Sequence, residues 1–261
     1  MEAFRSIALL LVAAALFPAH SRAKGEERRK YEKENDVQLR AAIAFEKKLS
    51  ARFSLGLSEE LRTRDNASHI DRLHTEVNAA FRLTPWLKVN AAYALISVLK
   101  RAKATGEDQW KFRHRATASF TLSHEVAPHL TLSLKERVQL THYAHSHFDR
   151  REKSAPLWGM KSKLQAEYKW RQCPFVPFVY VELCNTLNAP RRAGGNYVDK
   201  VRSGLGTTLR LDKHNSLTFL YRFDYGLEKK VKVKPSTGQL KSLTYSEGYT
   251  HVVGATYKFR F

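Results

Sequence analysis

The sequence predicts an all-β protein, a single antiparallel transmembrane β-barrel of ten to twelve strands, with twelve preferred. Segments in which apolar and polar residues alternate recur along almost the whole chain. The chain ends on such a run, Tyr257-Lys258-Phe259-Arg260-Phe261, which closes on an aromatic residue. The connections between the segments alternate between short and long, as do the short periplasmic turns and longer external loops of outer-membrane barrels.

The last segment is the most informative part of the chain. Tyr257, Phe259 and Phe261 share one face of the predicted closing strand, because side chains alternate between the two faces of a strand. Lys258 and Arg260 share the other face. An aromatic C-terminus in this register resembles the closing strand of a bacterial outer-membrane barrel. The three aromatics therefore form a predicted C-terminal signal through which the chain meets the barrel-assembly machinery.

The N-terminus predicts export. Arg5 gives a positive start, residues 7–17 are apolar but too short to span a bilayer, and Ser21-Arg22-Ala23 has the pattern of a cleavage site. Residues 1–23 are thus expected to be a signal peptide, removed after Ala23. Residues 24–35 are highly charged without alternation and are expected to precede a barrel of residues 36–261. The predicted location is the outer membrane of a Gram-negative bacterium.

Eleven alternating segments can be counted between the charged segment and the C-terminus. Many reach ten residues or more, enough to cross an apolar band of ~25 Å at a tilt. A soluble β-sandwich, the alternative, usually has shorter strands. Bacterial single-chain barrels normally have an even number of strands, so twelve is preferred over the counted eleven. The segments are residues 37–45, 53–62, 72–82, 87–95, 110–122, 130–140, 158–170, 175–183, 201–211, 217–225 and a closing strand ending at 261.

The expected connections fall into two groups. Short turns are predicted near residues 47–49, 84–85, 127–128, 173–174 and 213–215, and long loops at residues 100–109, 145–156, 188–197 and 226–248. Trp86, Trp110, Trp158 and Trp170 lie near predicted strand ends, where aromatic girdles meet the membrane interfaces, although they could instead be core anchors.

The charge of the chain points to an anionic partner. Lys and Arg number 45 against 25 Asp and Glu, a formal net charge of +20. Nucleic acid suits an exported chain poorly, so we expect no nucleic-acid partner. Outer-membrane lipid, or a small anionic solute inside the barrel, fits this charge better.

The polar face of the strands carries most of the basic residues. Rings of Arg and Lys attract anions and repel cations, so the sequence predicts a passive channel with a basic, anion-preferring lumen. The same side chains could instead fill a closed lumen, leaving a structural or ligand-binding barrel that acts through its loops. The candidates for anion selectivity are Arg72, Arg82, Arg113, Arg115, Arg137, Arg202 and Arg222.

Signals for other chemistry are weak. His142, His145 and His147 are weak candidates for a metal site, and neither a metal nor a cofactor is expected. A lipid-modifying outer-membrane enzyme is a further alternative. The best candidates for its nucleophile and base are Ser123-His124 and His214-Asn215-Ser216, but neither stretch gives a convincing catalytic triad. We therefore assign no catalytic residues and expect no enzyme.

Several stretches together resemble a known family. They are residues 46–50 leading into 57–62, residues 86–93, residues 110–115, Cys173-Pro174 followed by residues 177–183, and the closing aromatic run. These stretches resemble an uncharacterised, domain-of-unknown-function family of outer-membrane β-barrels that is common in Bacteroidetes-like bacteria. The resemblance covers nearly the whole mature chain. It implies a fold and a location, and it brings no catalytic residues.

Overall fold

The structure is a computed structural model that describes residues 29–101, 108–144, 156–187, 198–233 and 240–261. These residues form eleven strands and no helix, so none of them forms a helix that could cross a membrane. The strands are β1 (Arg29–Lys48), β2 (Phe53–Arg64), β3 (His69–Arg82), β4 (Leu87–Arg101), β5 (Asp108–Ala127), β6 (Leu130–Ala144), β7 (Leu157–Tyr168), β8 (Phe175–Thr186), β9 (Lys200–Arg210), β10 (Asn215–Val233) and β11 (Leu240–Arg260).

The strands close into one barrel in which each strand pairs with its neighbours in sequence. All sequential pairs are antiparallel, whereas β1 pairs with β11 in parallel, from Arg29 opposite Leu243 to Glu46 opposite Arg260. The parallel seam follows from the odd number, because in an alternating series the eleventh strand runs in the same direction as the first. The preference for twelve strands was therefore wrong. The parity rule for bacterial barrels assumes an antiparallel seam, and this barrel closes without one.

Two boundaries differ from those expected from sequence. β1 begins at Arg29, so residues 29–35 of the charged segment belong to the barrel wall, where they pair with β11. Residues 226–248 were expected to be a long loop. Instead, residues 226–233 belong to β10 and residues 240–248 belong to β11, and the two stretches pair with each other. Residues 29–35 and residues 226–248 are rich in charged residues, which mask the alternation. The predicted signal peptide and residues 24–28 lie outside the described residues.

The outer face of the barrel wall carries the large apolar side chains, and the inner face carries most of the polar ones. On β1, Leu39, Ile43 and Phe45 are 47%, 49% and 42% exposed, whereas Arg40 and Ala44 on the alternate face are half-buried. The same arrangement recurs around the barrel, where the large apolar side chains are outward-facing and exposed. A water-soluble barrel would place these side chains in its interior. The wall is therefore apolar outside and mostly polar inside.

The turns at one end of the barrel are short. β5 and β6 are joined by Pro128 and His129 alone, and the φ of 71° at His129 fits a type II turn with proline at its second position. Trp86 and Trp170 lie in turns at this end, which we call the short-turn end. Trp110 and Trp158 lie near the starts of their strands at the opposite end. All four side chains are 42–53% exposed, so none is buried in a core.

Candidate functional site

The barrel encloses a cavity of about 310 Å³. Four cationic side chains, Lys88, Lys135, Arg137 and Lys258, and two carboxylates, Glu46 and Glu76, are among its lining residues. Among the other eleven lining residues, five are apolar or glycine and six are neutral and polar. The neutral polar residues are Ser58, Asn78, Asn90, Thr117, Ser119 and Gln139.

The cavity reaches towards the short-turn end. Glu46 lies near the end of β1, and Lys258 lies near the end of β11. Their side chains form an ion pair, and Arg260 Nε approaches the same Glu46 carboxylate at 3.4 Å. Because β1 and β11 are the two strands of the parallel seam, this cluster also joins the first and last strands electrostatically.

Two groups of paired charged side chains, one on β1 and β2 and one on β8, β9 and β10, lie on the inner wall closer to the long-loop end than the cavity. We call the two groups together the ion-pair belt and define it as Arg40, Glu60, Arg62, Glu182, Arg202, Arg222 and Asp224. In its best-formed part, Arg202 Nη1 donates to Glu182 Oε1 at 2.7 Å, and Arg202 Nε lies 3.3 Å from Asp224 Oδ2. Arg222 holds the same aspartate through two hydrogen bonds, from Nε at 2.6 Å and from Nη2 at 3.0 Å.

Strand register places these partners together. Glu182 on β8 lies directly opposite Arg202 on β9, which in turn lies opposite Asp224 on β10. Opposite charges at directly paired positions stabilise a sheet. The Glu182, Asp224 and Arg222 side chains are only 8%, 5% and 9% exposed. These three side chains are therefore largely shielded from solvent.

Two glycines give interior aromatic rings room against the wall. A Cβ on Gly204 would lie 2.5 Å from Cε1 of Tyr180, which is directly opposite on β8. Phe178 lies similarly close to Gly206. The Phe178 and Tyr180 rings stack with centroids 6.4 Å apart. These glycines therefore let aromatic rings lie against the backbone of β9.

The seven arginines predicted for anion selectivity occupy different places. Arg202 and Arg222 belong to the ion-pair belt, and Arg137 joins its edge, with Nη2 3.9 Å from Glu182 Oε2. Arg115 Nε donates to Thr141 Oγ1 at 3.0 Å. The remaining three are not members of the belt, although Arg72 lies directly opposite Arg62 on β2. Arg72 pairs with Asp71, Arg82 lies opposite Lys88 near the short-turn end, and Arg113 lies opposite Ile96 on β4.

Sequence reasoning did not single out the two lysines that lie beside Arg137. Lys135 and Lys163 face each other across β6 and β7, and Lys135 lines the cavity. Alternation placed both on the polar face, but only the register of the two strands shows that they are direct neighbours. That register depends on where the β6–β7 connection begins and ends, which the residue pattern did not determine.

The predicted histidine cluster is only partly described. His142 lies directly opposite His114 on the outward face, where Tyr93 Oη and His114 Nδ1 are 2.6 Å apart. His145 and His147 lie outside the described residues. Among the residues that the structure describes, no group of three metal-ligating side chains comes together.

The two candidate Ser-His pairs are separated or otherwise engaged. Ser123 and His124 are consecutive on β5, where they lie opposite Ser133 and Leu132, so their side chains point to opposite faces. His214 Nδ1 lies 2.7 Å from the carbonyl oxygen of Arg260. This contact ties the β9–β10 turn to the C-terminal strand.

Tyr257 and Phe259 lie on the outward face of β11, and Phe261 directly follows the last residue of this strand. Tyr257 Oη donates to Asn215, and the Phe259 ring meets the Phe261 ring edge-on, with centroids 4.7 Å apart. Phe261 is 61% exposed. The C-terminus thus presents an apolar edge at the short-turn end.

Among the residues whose side chains the structure describes, Glu136 and Glu59 interrupt the apolar outer face. Glu136 alternates with the cavity-lining Lys135 and Arg137 and therefore points outward, where it lies opposite Phe120 and accepts a hydrogen bond from Ser162 Oγ at 2.7 Å. Glu59 also faces outward, and its Oε1 is buried without a hydrogen-bond partner.

The fold and its interior define a class of protein: a closed β-barrel with an apolar exterior, an internal polar cavity and a parallel seam. The family model described as "Protein of unknown function (DUF2490)" matches residues 21–232, and the chain belongs to this family. The resemblance to an uncharacterised domain family is thereby confirmed. No protein with a curated description matches the chain.

Proposed function

We propose that this protein is an outer-membrane β-barrel whose interior forms a narrow, anion-preferring pathway for small solutes. The observation that carries the proposal is the inverted distribution of side chains, with exposed apolar residues outside and charged residues inside. In lipid every backbone polar group must be paired internally, which a closed barrel achieves.

The positions of the tryptophans support a membrane location. Trp158 and Trp170 are twelve residues apart in sequence, one near the start of β7 and one beyond its end. At ~3.3 Å per residue and a strand tilt of ~40°, they are separated by roughly 30 Å along the barrel axis. Trp86 and Trp110 mark the same two ends. Interfacial girdles on either side of an apolar band of ~25 Å have this spacing.

The charges of the interior support a preference for anions. Cations outnumber carboxylates in the cavity lining, and the ion-pair belt has four arginines for three carboxylates. An interior of this composition attracts anions and repels cations. The belt also narrows the interior, so the proposed pathway has a low conductance and passes small solutes only.

Charge reversal inside the barrel tests the pathway. The double variant Arg113→Glu and Arg115→Glu should reduce or reverse anion preference, measured as the reversal potential in a planar bilayer under a salt gradient. The matched control is Lys213→Glu, which changes a charge in the exposed β9–β10 turn and should leave the reversal potential unchanged. If the double variant folds and keeps the wild-type selectivity, these arginines do not line the pathway.

A closed, ligand-binding barrel is the second candidate, and the low exposure of the ion-pair belt favours it. Under this alternative the folded protein shows no conductance in a bilayer. Replacing Arg202 and Arg222 by alanine should then produce a conductance, because the belt would be the barrier.

A further inference from the structure

We propose that the interior cavity binds a small polyhydroxylated anion, a sugar acid or a sugar phosphate, whose anionic group is held by a basic cluster on β6 and β7. The cluster consists of Lys135 and Arg137, which line the cavity, and of Lys161 and Lys163, which lie opposite them on β7. The inference rests on the proposed anion-preferring interior and deepens it, because it names a discrete site and a ligand class.

The cluster is formed by like charges in direct opposition. Lys135 lies opposite Lys163, and Arg137 lies opposite Lys161, on the paired strands β6 and β7. Directly opposite side chains have Cβ atoms ~5 Å apart, and like charges at such positions destabilise a sheet. Two such pairs in succession therefore place four basic side chains on one small area of the inner wall.

The described carboxylates only partly compensate this charge. Glu182 lies opposite Lys163 and 3.9 Å from Arg137, but its closest partner is Arg202, at 2.7 Å. Lys163 Nζ lies 3.9 Å from the centroid of the Tyr180 ring, so its ammonium is held by a cation–π contact. An anionic ligand would supply the missing negative charge.

The cavity provides the rest of the site. Lys135 and Arg137 line it and supply an ammonium and a guanidinium, both of which bind carboxylate and phosphate. Its other lining groups include neutral amides and hydroxyls, among them Asn78, Asn90 and Ser119. These groups donate and accept hydrogen bonds, as sugar hydroxyls require.

The cavity is larger than a simple inorganic ion. A water molecule occupies roughly 30 Å³ of liquid, so a single phosphate would leave most of the 310 Å³ to solvent. Ligand pockets span roughly 300–1,000 Å³, and a cavity at the lower end suits a molecule of about one sugar ring. Glu76, which also lines the cavity, can accept a hydrogen bond from a ligand hydroxyl.

Isothermal titration calorimetry on the refolded barrel in detergent micelles tests the site. The probes are glucose 6-phosphate and galacturonate, with glucose and inorganic phosphate as controls. We expect at least one anionic sugar to bind about tenfold or more tighter than either control, since each control lacks one half of the recognised chemistry. No heat of binding from either anionic sugar up to about 10 mM overturns the proposal. Binding of glucose or inorganic phosphate as tight as that of the anionic sugars also overturns the proposal.

Matched variants locate the site. Lys135→Gln should raise the Kd about tenfold, because it removes one charge-assisted contact. Lys111→Gln removes the same charge from β5, outside the cavity lining, and should leave the Kd unchanged. If the Lys135→Gln variant fails to fold, the test uses Lys135→Arg instead. This variant keeps the positive charge and should retain binding. Equal losses in the Lys135→Gln and Lys111→Gln variants would mean that binding follows net charge and not this site.

The stability of the variants gives a second readout. Because Lys135 faces Lys163, Lys135→Gln relieves repulsion and should raise or preserve the thermal midpoint of the empty barrel while weakening binding. If Lys135 had a purely structural role, its substitution by glutamine would lower the thermal midpoint. The proposed pathway is tested separately by the reversal potential. Anion selectivity without sugar binding would overturn this inference alone.

Discussion

Replacing Val77 by arginine should destabilise the barrel strongly in a bilayer and hardly at all if the outer face meets water. Val77 is 53% exposed on the outward face of β3, between Leu57 on β2 and Tyr93 on β4. It therefore lies in the middle of the apolar surface that we propose faces lipid, and the substitution tests that proposal directly.

The expected cost follows from the depth of Val77. It lies five residues before Arg82, the end of β3, or ~17 Å along the strand and ~13 Å along the barrel axis at a tilt of ~40°. This is about half of an apolar band of ~25 Å, and an arginine facing lipid at the midplane costs about 2–4 kcal/mol. An exposed substitution in water usually changes stability by no more than about 0.5 kcal/mol.

Leu211 provides the matched control. It is 55% exposed, close to Val77 in exposure, but lies in the turn after β9 at the short-turn end. Leu211→Arg should cost about 0–1 kcal/mol, as expected near the membrane interface. The free energy of unfolding is measured by urea titration in phospholipid vesicles, followed by tryptophan fluorescence. Equal values for the two variants would refute the membrane assignment of this surface.

Three further outcomes are expected. Glu136→Leu should stabilise the barrel in vesicles by about 1–2 kcal/mol, since it removes a carboxylate from the surface that we propose faces lipid, and a loss of stability in the urea titration would count against that placement. Gly204→Ala should cost about 1–3 kcal/mol in the same titration, because its Cβ would overlap the Tyr180 ring. Hydrogen bonds, first from Asn215 Nδ2 and then from backbone N–H groups, lower the pKa of Asp212. Its NMR titration midpoint should therefore fall below the ordinary ~3.9, and its stabilising contribution should persist above that pH and disappear as the pH falls through the lowered pKa.

Alternation in the sequence was enough to predict the barrel. The apolar face of the closing strand and the short turn at Pro128 both appear in the structure at the expected positions. The preferred strand number was wrong because it followed the rule that bacterial barrels have an even number of strands. The residue pattern of neither the first nor the last strand reveals that the two pair in parallel. The extended β10–β11 hairpin was missed because its lysine-rich alternation was interpreted as a solvated loop.

The interior site could be predicted only in part. Alternation placed Arg202 and Arg222 on the polar face, and the structure brings them together with Glu182 and Asp224. Which charges become neighbours depends on register, and a shift of one residue between two strands would change every pair. The opposition of Lys135 and Lys163 was therefore invisible in the sequence alone.

The most direct test of the central claim is the reversal potential of the refolded protein, without residues 1–23, in a planar bilayer under a potassium chloride gradient. An anion-selective membrane barrel gives stable, small conductance steps and a reversal potential displaced towards the chloride equilibrium value. A folded barrel that inserts and conducts with a reversal potential at the potassium value would contradict the account.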